Sequence, residues 1–408
     1  MGRVGSSAFA LLAVAASVAV SIASGCVSQY QPADEASGDA ATDAPTMADD
    51  ASFDGGVETD GGCRADLQSD GKNCGRCGHD CLGGACNAGK CQAISLGSTG
   101  EAPLRFVAVS DDHVFVSTRV TLVSDVGGIW RVPKAGGPVE RYVSLRFAEG
   151  IAVLGDKLHF VVNDDPADAA GKEGGLYSCP LVGAAPCAPS LVAAATNASA
   201  IAIDKTRVIY GDSGPGKGLM AYAPPAAPVV FRAGYGFPLS VFVDDQLALY
   251  VATTLVPAQR AKLFEIAPDA GFAERYSYES PSASSARIIG DATSLFFTAY
   301  DLTAPGKGVV HRLPRLAGGT PCDLGGTVND RPYGIHADPT HVYWTNQGTG
   351  AAPPYDNGSV VSCERSGCCT VPDVMWTGSG GPTGITGDTT ALYFVTASSG
   401  TIWKIAKP

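Results

Sequence analysis

Nowhere in the chain do apolar residues recur at the helical interval, so a helix bundle or a helix-covered sheet is excluded as the main body. Histidine is scarce, and the six present, His79, His113, His159, His311, His336 and His341, never pair at ligand spacing. That argues against a histidine-built metal or catalytic centre. Lys and Arg are missing altogether from residues 27–62, which hold nine Asp or Glu and so most of the formal net charge of −12. The remainder is nearly balanced in charge, which excludes the basic face that nucleic acids require. A long membrane-spanning run is lacking as well. The uncharged stretch from Ala8 to Ala23, behind Arg3, has the length of a signal peptide and is too short for a stable span.

What is present begins with that leader. It ends in Ile22-Ala23-Ser24-Gly25-Cys26, which resembles the lipobox of bacterial lipoproteins, with Ala23 where Leu is usual. The resemblance implies removal of residues 1–25 and diacylglyceryl transfer to Cys26, and hence a lipid anchor in the envelope of a Gram-negative bacterium. Val27 stands where an Asp would signal inner-membrane retention, which favours the outer membrane, with the rest of the chain periplasmic or surface-exposed. Residues 26–62 then form an acidic tether, chiefly of Ala, Gly, Ser, Thr, Pro, Asp and Glu, that cannot bury enough surface to order itself. As a flexible coil it reaches about 30 to 35 Å.

The chain has thirteen Cys. Acylation of Cys26 leaves an even set, which an oxidising compartment allows to pair completely. Asn73 to Cys91 reads NCGRCGHDCLGGACNAGKC, a spacing open to either half a zinc site or a disulfide-locked module. His79 alone makes a poor second ligand set, so no metal is expected, and Cys63, Cys74, Cys77, Cys81, Cys86 and Cys91 are expected to form bridges in a small module over residues 63–91. The pattern resembles the short CGxCGxxC segments of secreted bacterial proteins, which say nothing of a ligand. Among the later cysteines, Cys179 with Cys187 and Cys363 with Cys368 or Cys369 flank equivalent turns. Cys322 takes the remaining partner.

From Gln92 to Pro408 one phrase recurs: an apolar run, an Asp-rich turn, then a run ending in an aromatic or apolar residue. It begins at Val107, Ile151, Ile201, Val241, Ile288, Ile335 and Ile385. A second phrase, a small residue, a β-rich run and usually Pro, follows each copy, as in GIWRVP from Gly128 and GVVHRLP from Gly308. Units of this length, with three to four strands each, predict an all-β, seven-bladed β-propeller, or a six-bladed one if the weak copy around Val241 is an insertion. The last copy stops after its third strand, so Gln92 to Leu96 is expected to supply the missing strand and close the ring. Tyr343-Trp344-Thr345-Asn346 resembles the YWTD motif of receptor propellers, with Asn for Asp, a general likeness to YWTD and NHL-like propellers.

Motifs with a chemical look fail on context. Gly211 to Gly218, GDSGPGKG, resembles both a trypsin-like nucleophile segment and a phosphate loop, yet Gly218 follows the Lys and a strand follows the Gly. Pro305-Gly306-Lys307-Gly308 fills the same slot in another repeat, so PGKG is a turn. Asp111, Asp112, Asp156, Asp204, Asp244, Asp245, Asp291, Asp338 and Asp388 recur between first and second strands, which predicts turn capping. The acidic and amide set of lactonase-like propellers has no counterpart. No catalytic residue and no cofactor is therefore predicted.

Variable turns between second and third strands carry the candidate contact surface: Asp164, Asp165 and Asp168 on one, Trp344, Asn346, Tyr355 and Asp356 on another. Arg105, Glu149, Arg287 and Tyr333, just ahead of first strands, are expected near the channel mouth. The expectation is a monomeric, membrane-anchored, non-catalytic binding module for a protein, peptide or glycan, without nucleic acid. A propeller hydrolase, lactonase or dehydrogenase and a purely structural envelope component are the alternatives.

Overall fold

The computed structural model describes residues 65–118, 127–145, 148–163, 174–196, 198–233, 238–243, 249–255, 260–266, 272–278, 283–301, 308–315, 320–326, 329–349 and 355–408. The leader, Cys26, the tether, Cys63, Asp164, Asp165, Asp168, Asp244 and Asp245 lie outside them.

The described chain is all β and forms a β-propeller. Sheets 1 to 6 take their strands in order from residues 104–143, 148–194, 199–233, 238–278, 283–324 and 332–378, and sheet 7 from 382–406 plus Ile94–Ser98. Each of these seven sheets has four antiparallel strands, and the copy around Val241 is a complete sheet of its own. Every first strand packs against the first strands of both neighbouring sheets, sheet 7 meeting sheet 1. The ring is closed by the N-terminal strand, whose Ile94 pairs with Lys404 and Ser98 with Thr401.

The apolar cores lie between consecutive sheets. Phe115 of sheet 1 shares one with Leu158 and Phe160 of sheet 2, and Phe296 of sheet 5 shares another with Trp344 and Val361 of sheet 6. Second strands are therefore covered on both faces, which is why HVYW and ALYF read as unbroken apolar runs. Fourth strands lie outermost, and Leu191, Val229, Val230 and Val374 on them stay exposed. The recurrent Gly opening the third strand has a steric cause: a Cβ at Gly128 would lie 2.0 Å from the Val143 carbonyl oxygen, and one at Gly175 would lie 2.2 Å from that of Ala193.

The aspartates of the first turns cap them. Asp388 Oδ1 accepts the backbone N–H groups of Thr390 and Ala391 at 3.0 and 2.9 Å, and Asp338 Oδ1 those of Thr340 and His341 at 2.9 and 2.8 Å. The same carboxylates also latch neighbouring sheets. Asp388 Oδ2 meets Lys134 of sheet 1 at 2.8 Å and accepts the Tyr393 hydroxyl at 3.0 Å, with the ammonium 5.5 Å from the Tyr393 ring centroid. Asp338 repeats this with Lys407 of sheet 7 at 3.0 Å and the Tyr343 hydroxyl at 2.8 Å, and Asp291 pairs with Arg365 of sheet 6, which lies over Phe296. In each latch the cation directly follows the third strand of the next sheet.

In the Cys-rich segment Cys74 bonds Cys86 and Cys81 bonds Cys91, and Cys77 is also disulfide-bonded. The sulfurs of Cys74, Cys81 and Cys91 lie within 4.8 Å of one another, but as disulfides they offer no thiolate to a metal. The segment sits on sheets 6 and 7: His79 Nε2 lies 2.7 Å from the Lys407 carbonyl oxygen of sheet 7, Ala406 of the same sheet joins the buried cysteines, and Lys90 pairs with Asp373 of sheet 6. In the propeller Cys179 bonds Cys187, Cys363 bonds Cys369, and Cys322 of sheet 5 bonds Cys368 in the third turn of sheet 6.

Candidate functional site at the ring axis

Every first strand bulges at the same place, where its register with the second strand jumps between Leu104 and Phe106, Ala148 and Ile151, Ser199 and Ile201, Pro238 and Ser240, Ser285 and Arg287, Pro332 and Ile335, or Pro382 and Ile385. A bulge frees a residue from the ladder and re-aims its side chain. Arg105, Glu149 and Tyr333 fall inside three of these bulges and Arg287 closes a fourth. Hydroxyls of the preceding sheet pin the same backbone: Ser117 donates to the Glu149 carbonyl at 3.2 Å and Thr298 to that of Tyr333 at 2.9 Å. Thr345 and Thr383 do likewise for Thr383 and Leu104, at 2.6 and 2.9 Å.

These four residues, from sheets 1, 2, 5 and 6, interact as one group. The Arg287 guanidinium lies 5.0 Å from the Tyr333 ring centroid and 4.3 Å from that of Phe106 in sheet 1. Tyr300, at the end of a second strand, sets its ring 6.3 Å from Tyr333. Burial pushes the Tyr333 phenol up, but Arg105 and Arg287 outweigh it and hold the phenol below its usual pKa against the opposing charge of Glu149. Burial likewise works against the charge of Arg105, and the fields of Tyr333, Glu149, Tyr300 and Tyr355 overcome it, raising the guanidinium above its ordinary value. Tyr355 thus joins the axial group from the long loop of sheet 6, with the Arg331 guanidinium 5.5 Å from its ring centroid.

The loop candidates divide. Asp356 is exposed and Tyr355 half-buried. Trp344 and Asn346 are corrections: both are buried, because they sit on a second strand enclosed between sheets. Trp344 donates its Nε1–H to Asn329 at 3.1 Å, and Asn346 donates to the Ser359 hydroxyl at 3.2 Å, so Trp344 is core and Asn346 an internal polar contact. Tyr333, expected at the mouth, is itself only 8 % exposed and lies deeper than a contact residue should. Phe106, Tyr300 and Arg331 were not anticipated. Arg331 and Tyr333 flank Pro332, and that Arg-Pro-Tyr triplet ahead of a first strand was the available signal.

No protein-family model and no curated protein matches this chain. Solved structures do. A catalytically inactive virginiamycin B lyase from Staphylococcus aureus, crystallised with quinupristin, aligns with a TM-score of 0.53 at 12% identity, over 78% of this chain and 99% of that one. The computationally designed Ika8 protein aligns with a TM-score of 0.50 at 10% identity, over 77% and 98%. A gluconolactonase from Xanthomonas campestris aligns less well, with a TM-score of 0.45 at 10% identity, over 78% and 89%. At such identities the likeness is one of fold, and it places the chain among the β-propellers.

Proposed function

We propose that this chain is a lipid-anchored, extracytoplasmic binding protein whose seven-bladed ring presents the axial Arg/Tyr group to a small ligand or to one end of a larger one. The observation that carries the reading is the convergence of Arg105, Arg287, Tyr300, Tyr333 and Glu149 from four separate sheets onto the axis. Arg105, Glu149, Arg287 and Tyr333 are each set at a first-strand bulge, and Tyr300 reaches them from the end of a second strand. Guanidinium and phenol groups recognise anions and polar rings, and a preorganised site spends little on ordering itself. The anchor at Cys26 and the acidic tether would hold the module away from the membrane, and the ring, closed by its own N-terminal strand, needs no second copy to complete it.

The test is a panel of glycans and short peptides presented to the full chain purified in detergent, beside an Arg105→Ala variant of the same melting temperature. Retention of a ligand by the parent and not by the variant supports the reading. Silence across the panel at high micromolar concentration removes it.

One observation favours a second reading. A buried tyrosine whose phenol is acidified by two guanidinium groups has the protonation chemistry of a general base. An enzyme would show turnover of a bound ligand that Tyr333→Phe abolishes while binding persists; a binding module would return the ligand unchanged.

A further inference from the structure

We infer that the axial mouth takes a uronic-acid glycan, with the carboxylate held by Arg105 and Arg331 and the sugar ring laid against Tyr355. This rests on the binding reading above and narrows it to a ligand class.

Arg331 is the observation that leads there. It is 6 % exposed, yet its Nε has no hydrogen-bond partner within the protein. Its backbone lies in the left-handed region at φ 54°, which a residue with a Cβ adopts at a cost. The conformation is fixed by Pro332 on one side and by the Gln347 N–H, donated to the Arg331 carbonyl at 3.2 Å, on the other. A buried arginine kept in a strained backbone with a donor unspent is arranged for something outside the protein.

Its neighbour gives the ligand its shape. Tyr355 is held flat against the chain, since a Cβ at Gly381 would come within 2.4 Å of Tyr355 Cδ2, and its carbonyl accepts the Gly380 N–H at 2.9 Å. The ring is half-buried and lies under the Arg331 guanidinium, and its hydroxyl acts electrostatically on Arg105, so that Tyr355 links the two cations. Among the described residues, the charges acting on the Tyr333 phenol are two guanidinium groups, Arg105 and Arg287, against the carboxylate of Glu149, a local excess that favours an anion. A planar carboxylate matches the guanidinium fork, and an aromatic face suits the apolar side of a pyranose.

The probes are galacturonate and glucuronate oligomers and their methyl esters, titrated calorimetrically into the full chain in detergent. The free acids should bind, the esters at least tenfold more weakly, and the acid affinity should fall with added salt. Arg331→Gln and Arg105→Gln should each cost the acid at least tenfold and shrink the difference between acid and ester. Tyr355→Ala, compared at a melting temperature matching the parent's, should weaken both. Equal affinity for acid and ester, or no affinity for either oligomer, overturns the inference. If no uronate binds while another member of the glycan and peptide panel binds and is lost in Arg105→Gln, the uronate assignment falls and the binding module stands; if the panel is silent, both fall.

Discussion

The Arg287 guanidinium of sheet 5 lies 4.3 Å from the ring centroid of Phe106 in sheet 1. Those sheets are not neighbours, since sheets 6 and 7 intervene on one side and sheets 2 to 4 on the other, so the contact spans the axis. The equivalent residues in sheets 2, 6 and 7 are Gly150, Gly334 and Gly384, where a Cβ would run into the next sheet, at 2.7 Å from Ile201 Cγ2, 2.2 Å from the Thr383 carbonyl oxygen and 2.5 Å from that of Arg105. A partly buried cation–π contact of this kind contributes about 1 kcal/mol.

Removing it should be visible at Tyr333. Arg287→Ala withdraws one of the two cations that acidify the phenol, so the Tyr333 titration should move upward, read as the ultraviolet difference between each protein and its Tyr333→Phe counterpart. Arg287→Lys keeps the charge and should restore most of the shift. If Arg287→Ala leaves the Tyr333 titration where it was, the electrostatic description of the axis is wrong.

The latches between sheets predict coupling. Asp388→Ala strips two backbone N–H groups of their acceptor and Lys134 of its partner, and should cost about 2 to 3 kcal/mol in chemical denaturation. Lys134→Met keeps the stem over Tyr393 and should cost about 1 kcal/mol. Because the two side chains meet at 2.8 Å, the double variant should lose less than the sum of the singles. Strict additivity would show that the ion pair contributes nothing.

The Cys322–Cys368 bridge joins sheets 5 and 6 across a separation of 46 residues. By loop-closure entropy such a link stabilises by about 4 kcal/mol. The Cys322→Ser, Cys368→Ser pair should therefore cost about 1.5 kcal/mol more than removal of the Cys179–Cys187 link, which closes only 8 residues and by the same entropy is worth about 2.5 kcal/mol. Equal losses would place the stabilisation elsewhere.

Much of the ring was legible because its physics is periodic. The doubled apolar phrase marks strands that must be apolar on both faces, the aspartates mark turns that need an acceptor, and Gln92 to Leu96 stood out as a strand without a sheet. Arg105, Glu149, Arg287 and Tyr333 could be placed near the axis from their position in the repeat. Their mutual contacts could not, because they depend on bulges and on how far each sheet is turned about the ring. Trp344 shows the opposite failure: an aromatic beside a long loop looks like a contact residue, but strand alternation means little where both faces are covered. The latches escaped notice because Asp388 and Lys134 are 254 residues apart and only ring closure makes them neighbours.

Acid should unfold the protein in two separable stages. His159 is 1 % exposed and burial first, then Lys157, pushes its imidazole down to about 4; His336 is likewise pushed down to about 4 by burial and then by Lys407. In the unfolded chain both titrate near the ordinary 6.5. Between those values the unfolded state binds the more protons, so stability is lost as pH falls from 6.5 to 4, by up to about 3 kcal/mol for each histidine. Asp338 and Asp388 behave differently. Burial alone would raise them, but their backbone N–H donors, tyrosine hydroxyls and Lys407 or Lys134 hold both well below the usual carboxylate range. Their contribution is intact above the unfolded carboxylate value of about 3.9 and disappears only as pH drops further. A His159→Leu, His336→Gln variant should accordingly show a flatter stability profile between pH 6.5 and 4 in urea melts and keep the steep loss below 4. An unchanged slope in the upper interval would mean that neither imidazole is held neutral by the fold.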